Sequence, residues 1–297
     1  MENPPPKVSV IIPCYNREQF IRETIESVLN QTHSNIELIA VDDGCTDGTR
    51  SILDSFGGKI IVLEHPGRVN KGQSAAINMG LRAAAGEYIA ILDSDDLFLP
   101  EKIEKQVEYL EKHPDIGLVY SNGYGIDEYG NILYQFYGED HEEPSDPEKV
   151  LMDCYFLVPN NSLVRKFAFQ LAGAFDESLR SAQDHDMAIR LSEVAKISYI
   201  NDNLFYYRRH KDSISSKNAE LRWKNGFTIL KKASKRYHYS MRAKRKRYAV
   251  LNFRLGQCYF EKKAYSASLC RFAIAGALDP VRSLRVLLKK QKISSPH

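Results

Sequence analysis

From Lys7 to Leu92 the apolar positions switch repeatedly between two spacings. Val8-Ser9-Val10-Ile11-Ile12 is a mainly apolar run that stops at Pro13, the mark of a buried strand. Phe20, Ile21, Thr24, Ile25, Val28 and Leu29 then recur at helical spacing, and Ile36-Glu37-Leu38-Ile39-Ala40-Val41 returns to a strand, which makes one βαβ unit. A helix from about Asp47 to Phe56, a strand Lys59 to Glu64, a helix Gln73 to Ala84 and a strand Tyr88 to Leu92 continue the alternation. The pattern predicts an α/β fold with a mostly parallel twisted sheet flanked by helices. Beyond Pro100 it predicts a helix to about His113 and a strand near Ile116 to Tyr120, then a loop-rich stretch from Gly123 to Pro159 in which no hairpin is assigned. A helix starting near Asp184 and a strand ending at Tyr206-Tyr207-Arg208 close this half. After Ser215 the chain reads as helical, with no glycine between Gly226 and Gly256.

Composition adds a division to that picture. The 297 residues are 43% apolar and 27% charged, enough for a real core and one large domain with a smaller appendage. Residues 215–297 hold 21 Lys or Arg against three acids, a net of +18, while residues 1–214 carry −15; the overall +3 conceals both. The expected organisation is a disordered tail over 1–6, a catalytic domain over 7–215 and a basic helical region over 216–297. Within the last, Leu255-Gly256-Gln257-Cys258-Tyr259, Tyr265, Phe272 and Pro280 resemble one tetratricopeptide-type hairpin over 248–280, with an ordinary helical pair on the catalytic domain as the alternative. A basic, helix-patterned tail seeks a polyanion, either nucleic acid or an anionic membrane leaflet. Met1-Glu2-Asn3-Pro4-Pro5-Pro6 lacks the basic and apolar segments of a signal peptide, and no apolar run approaches the roughly 20 residues that span a bilayer, so a cytoplasmic protein with peripheral membrane contact is expected. Cys14, Cys45, Cys154, Cys258 and Cys270 form no Cys-x-x-Cys pair and are expected as buried free thiols.

In an open α/β sheet, ligands sit beyond the carboxyl ends of the strands. Three polar clusters fall there: Pro13-Cys14-Tyr15-Asn16, Asp42-Asp43-Gly44 and Asp93-Ser94-Asp95-Asp96. Asp93, Asp95 and Asp96 crowd three carboxylates into four residues, a density that calls for a cation. Oxygen ligands of this kind suit magnesium or manganese, which use one or two carboxylates plus substrate phosphates. The competing reading is that Asp96 or a neighbour caps the helix after Pro100. Asp42 and Asp43 can accept hydrogen bonds from a base or a ribose hydroxyl, whereas Asp47 suits a turn and a helix cap. No Gly-x-Gly-x-x-Gly follows the first strand and no Walker lysine loop is present, which disfavours dinucleotide binding and P-loop phosphate transfer.

The ordered motifs Val10-Ile11-Ile12-Pro13-Cys14-Tyr15-Asn16, Gln31-Thr32, Val41 to Thr49, Asn70-Lys71-Gly72, Ala85-Gly86-Glu87-Tyr88-Ile89, Leu92 to Asp96, Gly173 to Glu177, Asp184-His185-Asp186 and Tyr207 to His210 make the chain resemble glycosyltransferase family 2, over about residues 7–215. The resemblance implies a GT-A fold and inverting, single-displacement transfer from a nucleotide-sugar. It implies that Pro13, Tyr15 and Asp43 hold the base, usually uracil, that Asp93 contacts the donor's ribose or sugar, and that Arg208 and His210 lie where the family often closes a loop over the diphosphate; Asn16, Asp42, Lys71 and Ser94 complete the expected donor-binding set. Asp95 becomes the metal ligand, and Asp184 the base that deprotonates the acceptor hydroxyl. General-base chemistry by a placed carboxylate agrees with that role; a helix cap is the plain alternative for Asp184. Two positions depart from the family's usual pattern: Gln183 stands where Glu is common, and Ala76-Ile77-Asn78 replaces Ala-Arg-Asn.

The expected activity is transfer of a hexose or N-acetylhexosamine from a UDP-sugar to a lipid-linked or polysaccharide acceptor in surface-glycan assembly. A non-catalytic nucleotide-sugar-binding scaffold is the second reading. Nucleic-acid binding by the tail is the third; it lacks a recognisable motif, and Arg282-Ser283-Leu284-Arg285-Val286-Leu287-Leu288-Lys289-Lys290 suits a lipid surface equally well. Donor sugar, acceptor, linkage and oligomeric state are left open by the sequence.

Overall fold

The computed structural model describes residues 4–143, 146–152, 159–210 and 219–287. Its first part alternates as the periodicity predicts: β1 Val8–Cys14, α1 Ile21–Leu29, β2 Ile36–Asp42, α2 Thr49–Ser55, β3 Ile61–Glu64, α3 Gln73–Ala83 and β4 Tyr88–Ile91. There follow β5 Leu97–Phe98, α4 Lys102–Lys112, β6 Ile116–Ile126, β7 Ile132–Gln135, α5 Pro147–Met152, β8 Ser162–Arg165, α6 Lys166–Ala172, α7 Gln183–Val194 and β9 Lys196–Arg208. Four helices complete the described chain: α8 Ala219–Arg236, α9 Met241–Glu261, α10 Tyr265–Leu278 and α11 Pro280–Leu287. None of the described helices is long and apolar enough to cross a membrane.

The strands form a nine-stranded sheet in the order β3-β2-β1-β4-β8-β6-β9-β5, with β7 paired to β6. The β3-β2-β1-β4 half is parallel, and β8 then joins β4 and β6 antiparallel. Both faces of the parallel half are covered, which is why its strands read as continuous apolar runs rather than alternating ones. Ile11, Ile39, Val41, Ile89 and Ile91 point to the side of α3 and α7, whereas Val10, Ile12, Leu38, Ala40 and Ala90 meet Ile21 and Ile25 of α1 and Ile103 and Val107 of α4.

The first strand does not stop at Pro13, as the sequence suggests, but continues to Cys14. Backbone groups of odd-numbered residues face β4, as Leu92 N–H donating to Ile11 O at 3.0 Å shows, and the β1–β4 ladder ends at the Ile11–Ile91 pair. The missing N–H of Pro13 therefore faces a side where no ladder bond is due. Likewise β6 runs six residues beyond Tyr120, because polar Asn122 is satisfied inside the fold: it donates to Tyr137 O at 3.0 Å and accepts from Tyr137 N at 3.0 Å. The stretch without an assigned hairpin thus contains the β6–β7 pair.

Of the tail 1–6, the first three residues lie outside the described ones, while Pro5 O accepts from Asn35 Nδ2 at 2.7 Å and Pro6 O bonds His33 Nε2 at 2.9 Å. The C-terminal helices share the main core. Trp223, Leu230, Tyr239, Leu251 and Leu255 are buried in one apolar cluster with Met187, Ile189 and Phe175. Acids of the first half also neutralise tail cations, with Glu193 on Arg236 and Asp176 on Lys232. The cysteine expectation needs correcting. Cys14 and Cys258 are buried, Cys45 is half-buried, Cys270 is exposed, and Cys154 lies outside the described residues.

Candidate active site

The exits of β1, β2, β4 and β9 and the start of α7 converge on one edge of the sheet. At the β1 exit, Pro13 is buried in the strand and Tyr15 is 45% exposed, its ring free to meet a flat ligand. Asn16, with φ of 50°, is taken up by the fold: its Oδ1 accepts from Thr46 N at 2.8 Å and its Nδ2 donates to Thr46 Oγ1 at 3.1 Å. At the β2 exit Asp42 is also occupied, accepting from Cys45 N at 2.8 Å and facing Arg50 Nη1 at 3.5 Å. Asp43 is 2% exposed and clamps the next loop, accepting from Lys71 N at 2.7 Å and Gly72 N at 2.8 Å. Burial raises the Asp43 pKa, against those two N–H donors. Lys71 contributes its backbone here, and its side chain is exposed. Asp47 serves its turn, accepting from Thr49 N at 3.0 Å and Glu18 N at 3.1 Å.

Two glycines let these loops meet. Gly44 has φ of 77°, and a Cβ on it would sit 2.7 Å from Asn70 N; Gly72 has φ of 92°, and a Cβ on it would overlap Arg180 Nη1 at 2.1 Å. Arg180 Nη1 donates to Lys71 O at 2.8 Å, which fastens the loop from the other side.

The β4 exit carries the charge. Asp93 accepts from Gln73 Nε2 at 2.7 Å, and its pKa is pushed up to about 7 by burial first, then by the Asp95 and Asp184 carboxylates. Ser94 is buried. Asp95 Oδ2 receives Arg17 Nε at 3.0 Å and bonds His210 Nε2 at 2.8 Å; against the effect of burial, His210 and Arg17 hold its pKa low. Asp96 does not cap α4. It is 1% exposed and accepts from Asn160 Nδ2 and from Arg208 N at 2.6 Å, and burial followed by the charges of Asp95 and Asp93 raises its pKa well above the carboxylate range.

Asp184 is not the cap of α7, whose capping position is Ala182 with φ of 64° and whose first turn holds Asp184. The Asp184 carboxylate lies near enough to Asp93 to add to the rise of that group's pKa. Arg208 is 4% exposed: its Nε donates to Asp95 O at 3.0 Å, its Nη2 meets Glu23 at 2.7 Å, and its guanidinium lies 5.1 Å from the Phe20 ring. His210 packs on the same ring at 5.0 Å with its side chain 5% exposed, so neither Arg208 nor His210 is a solvated surface group.

Three residues that the sequence did not single out complete the geometry. Arg17 supplies the cation on Asp95. Gln73 bridges Asp93 to Gln183, accepting from Gln183 Nε2 at 2.7 Å. Asn160, fully buried, accepts from Asp93 N at 2.7 Å while donating to Asp96. Asn78, at the departed Ala-Arg-Asn segment, accepts from Phe175 N at 2.7 Å and donates to Phe175 O at 2.9 Å, binding α3 to the Gly173–Glu177 motif.

A divalent cation fits this donor set in a limited way. Beyond the effect of burial, the carboxylates of Asp95 and Asp184 raise the Asp93 pKa, a repulsion that a cation relieves. No group of three or more His, Cys, Asp or Glu side chains among the described residues forms a complete metal cage. One or two carboxylates completed by phosphates and water, the usual magnesium arrangement, is what remains.

A family model described as "Glycosyl transferase family 2" matches residues 9–171. An uncharacterized glycosyltransferase of Rickettsia prowazekii (strain Madrid E) is 35% identical over 214 residues, covering 69% of this chain and 64% of its own. Glycosyltransferase GlyG of Streptococcus pneumoniae serotype 4 is 35% identical over 231 residues, 73% of this chain and 75% of its own, and chondroitin synthase of Escherichia coli is 30% identical over 240 residues, 79% and 34%. The chain thus spans less than two thirds of the length of some of these relatives. Among solved structures, S. aureus TarS 1–349 in complex with UDP-GlcNAc aligns with a TM-score of 0.71 at 21% identity, covering 92% of this chain and 80% of its own. Mannosyltransferase PcManGT from Pyrobaculum calidifontis, in complex with GDP-Man and Mn2+, aligns with a TM-score of 0.63 at 18% identity, covering 96% and 79%. At these identities the likeness establishes a shared fold, the GT-A type of mixed sheet with flanking helices.

Proposed function

This chain belongs to glycosyl transferase family 2 and is a glycosyltransferase, and on that premise we propose that it moves a hexose or N-acetylhexosamine from a UDP-sugar to a hydroxyl of a lipid-linked or polysaccharide acceptor, with inversion, in surface-glycan assembly. The observation that carries the reading is the meeting of Asp93, Asp95 and Asp184 at the strand exits, close enough for two of the carboxylates to raise the pKa of the third. Support for a UDP donor comes from the TarS neighbour bound to UDP-GlcNAc, and support for a surface glycan from the chondroitin synthase relatives. The scaffold reading gives way, since the family is one of enzymes.

In this mechanism Tyr15 offers its exposed ring to the base, and Asp43 keeps spare acceptor capacity beside it. Asp184 takes the proton of the acceptor hydroxyl as that oxygen bonds to the anomeric carbon, and the bond from that carbon to the diphosphate breaks, releasing UDP. Manganese or magnesium, held by Asp95, would supply Lewis-acid stabilisation of charge on the leaving diphosphate. Arg17 and His210, both on the Asp95 carboxylate, would balance that charge, and Arg208 braces Asp95 through its backbone carbonyl. Gln73 holds Asp93 and, through Gln183, the start of α7 in register. Peripheral contact of the basic helices with an anionic inner leaflet would bring a lipid-linked acceptor to the site.

UDP release measured over a panel of donors with manganese tests the proposal. Asp95→Ala is expected to abolish metal-dependent donor binding, and Asp184→Asn to keep donor binding while stopping turnover. Parental transfer by Asp184→Asn would overturn the base assignment, and well-folded protein that neither binds UDP by calorimetry nor releases it would overturn the donor.

A further inference from the structure

Away from the strand exits, α8, α9 and the end of α10 border an open hollow of about 900 Å³ whose lining is mainly apolar and cationic, together with Thr228 and Ser234. Phe227, Leu230, Met241, Tyr248 and Leu278 are apolar, with Phe227 and Tyr248 in edge contact at 5.3 Å. Lys231, Arg242, Lys244 and Arg245 are cationic, and among the described residues no acid lines the cavity. Several acids of the fold are engaged elsewhere: Glu193 on Arg236 and Tyr239, Asp176 on Lys232, Glu220 on Lys224 and Lys262. Glu148, which accepts from Ser240 N and Oγ, faces Arg242, and Asp279, next to the lining Leu278, accepts from Arg282 N at 3.1 Å.

Four like charges around one apolar hollow repel each other, and an anion placed among them removes that cost. A soluble anion would leave the apolar lining wet. We propose that this cavity seats an anionic phospholipid of a membrane surface, its phosphate among Lys231, Arg242, Lys244 and Arg245 and its acyl chain against Phe227, Met241 and Leu278. The surroundings extend the same chemistry outward. Met241 is 75% exposed, and next to Leu278 the helix α11 leaves Val281 and Leu284 exposed three residues apart on one face. An apolar ridge beside a basic cavity matches a leaflet, whose headgroups and chains lie at adjacent depths. The chain's own C-terminal residues Lys289, Lys290 and Lys292 are cationic and do not complement the cavity. The inference deepens the membrane contact of the reading above, yet its residues all lie outside the site at the strand exits.

Flotation of the full chain with vesicles tests it. Vesicles of phosphatidylcholine with phosphatidylglycerol are expected to retain the protein, those of phosphatidylcholine alone to leave it behind. Arg242→Gln/Arg245→Gln should weaken retention roughly 30-fold, about fivefold per cation, and Met241→Ser should weaken it at high salt as well as low, because screening does not touch the apolar part. UDP release from a soluble acceptor, measured on the same variants, should match the parent, so failure of flotation and failure of transfer are read separately. Equal retention on both vesicle types, or duplex DNA bound more tightly than anionic vesicles and indifferent to Met241→Ser, would overturn the proposal.

Discussion

Asn160 offers the sharpest test of how the acidic edge is held together. Its side chain is fully buried and satisfies two groups at once, the backbone N–H of Asp93 at 2.7 Å and the carboxylate of Asp96. Asn160→Ala removes both partners and leaves two polar groups without replacements. A buried group stripped of its partner costs about 1–3 kcal/mol, more when charged, so the loss should be about 2–6 kcal/mol. For a chain of this size each kcal/mol corresponds to about 2–4 °C in melting temperature, which places the drop at roughly 4–24 °C. Differential scanning calorimetry reads it, and circular dichroism at low temperature confirms that the variant still folds. Asp96 keeps its bond from Arg208 N, so the fold itself should survive. A melting temperature within about 2 °C of the parent would refute the reasoning, since it would mean that solvent or a neighbour satisfies both groups.

Other consequences follow from the same physics. Lys102 is fully buried against Gln106 Oε1 at 2.7 Å and the Phe98 ring at 4.1 Å, and burial drives its pKa well down. The unfolded chain then binds more protons between the folded and unfolded pKa values, so stability rises with pH across that window. Lys102→Met should raise the melting temperature at neutral pH, and the gain should shrink as pH nears 10.5; a gain constant with pH would refute it. Asp93 works in the opposite sense: its folded pKa, about 7, lies above 3.8, so the folded state binds the extra proton and stability falls as pH rises between them. A cation that relieves the repulsion should therefore stabilise the protein more at pH 8 than at pH 5, and an equal manganese-induced shift in melting temperature at both would count against it. Gly44→Ala places a Cβ 2.7 Å from Asn70 N at a left-handed φ, which costs at least about 1–2 kcal/mol and displaces the loop that Asp43 clamps. Calorimetric UDP binding should weaken together with stability, and unchanged affinity would place that loop away from the donor.

The parallel half of the fold was legible because strands covered on both faces spell themselves as apolar runs; Val10-Ile11-Ile12 and Ile89-Ala90-Ile91 serve opposite layers in turn. The antiparallel half was less so. β5 has two residues and β8 four, too short for any period, and β6 hides Ser121 and Asn122 in positions where polarity suggests a loop. Aspartates directly after strands announced the candidate site through their crowding. Arg17, Gln73 and Asn160 did not, because an Arg, Gln or Asn in sequence says nothing of the carboxylate it will meet 78, 20 or 64 residues away. Asp42 and Asn16 also follow strands, and the turn itself uses their polar atoms, an engagement that a sequence position after a strand does not disclose.

Met187 and Ile189 of α7, the helix whose first turn holds Asp184, share their apolar cluster with Trp223, Leu230, Leu251 and Leu255 of α8 and α9. A shortened protein cut near residue 215 would leave the underside of that helix wet, and its product should be an insoluble fragment rather than a smaller working enzyme. Whoever wishes to graft this catalyst onto another anchor must carry those helices along as part of the chassis.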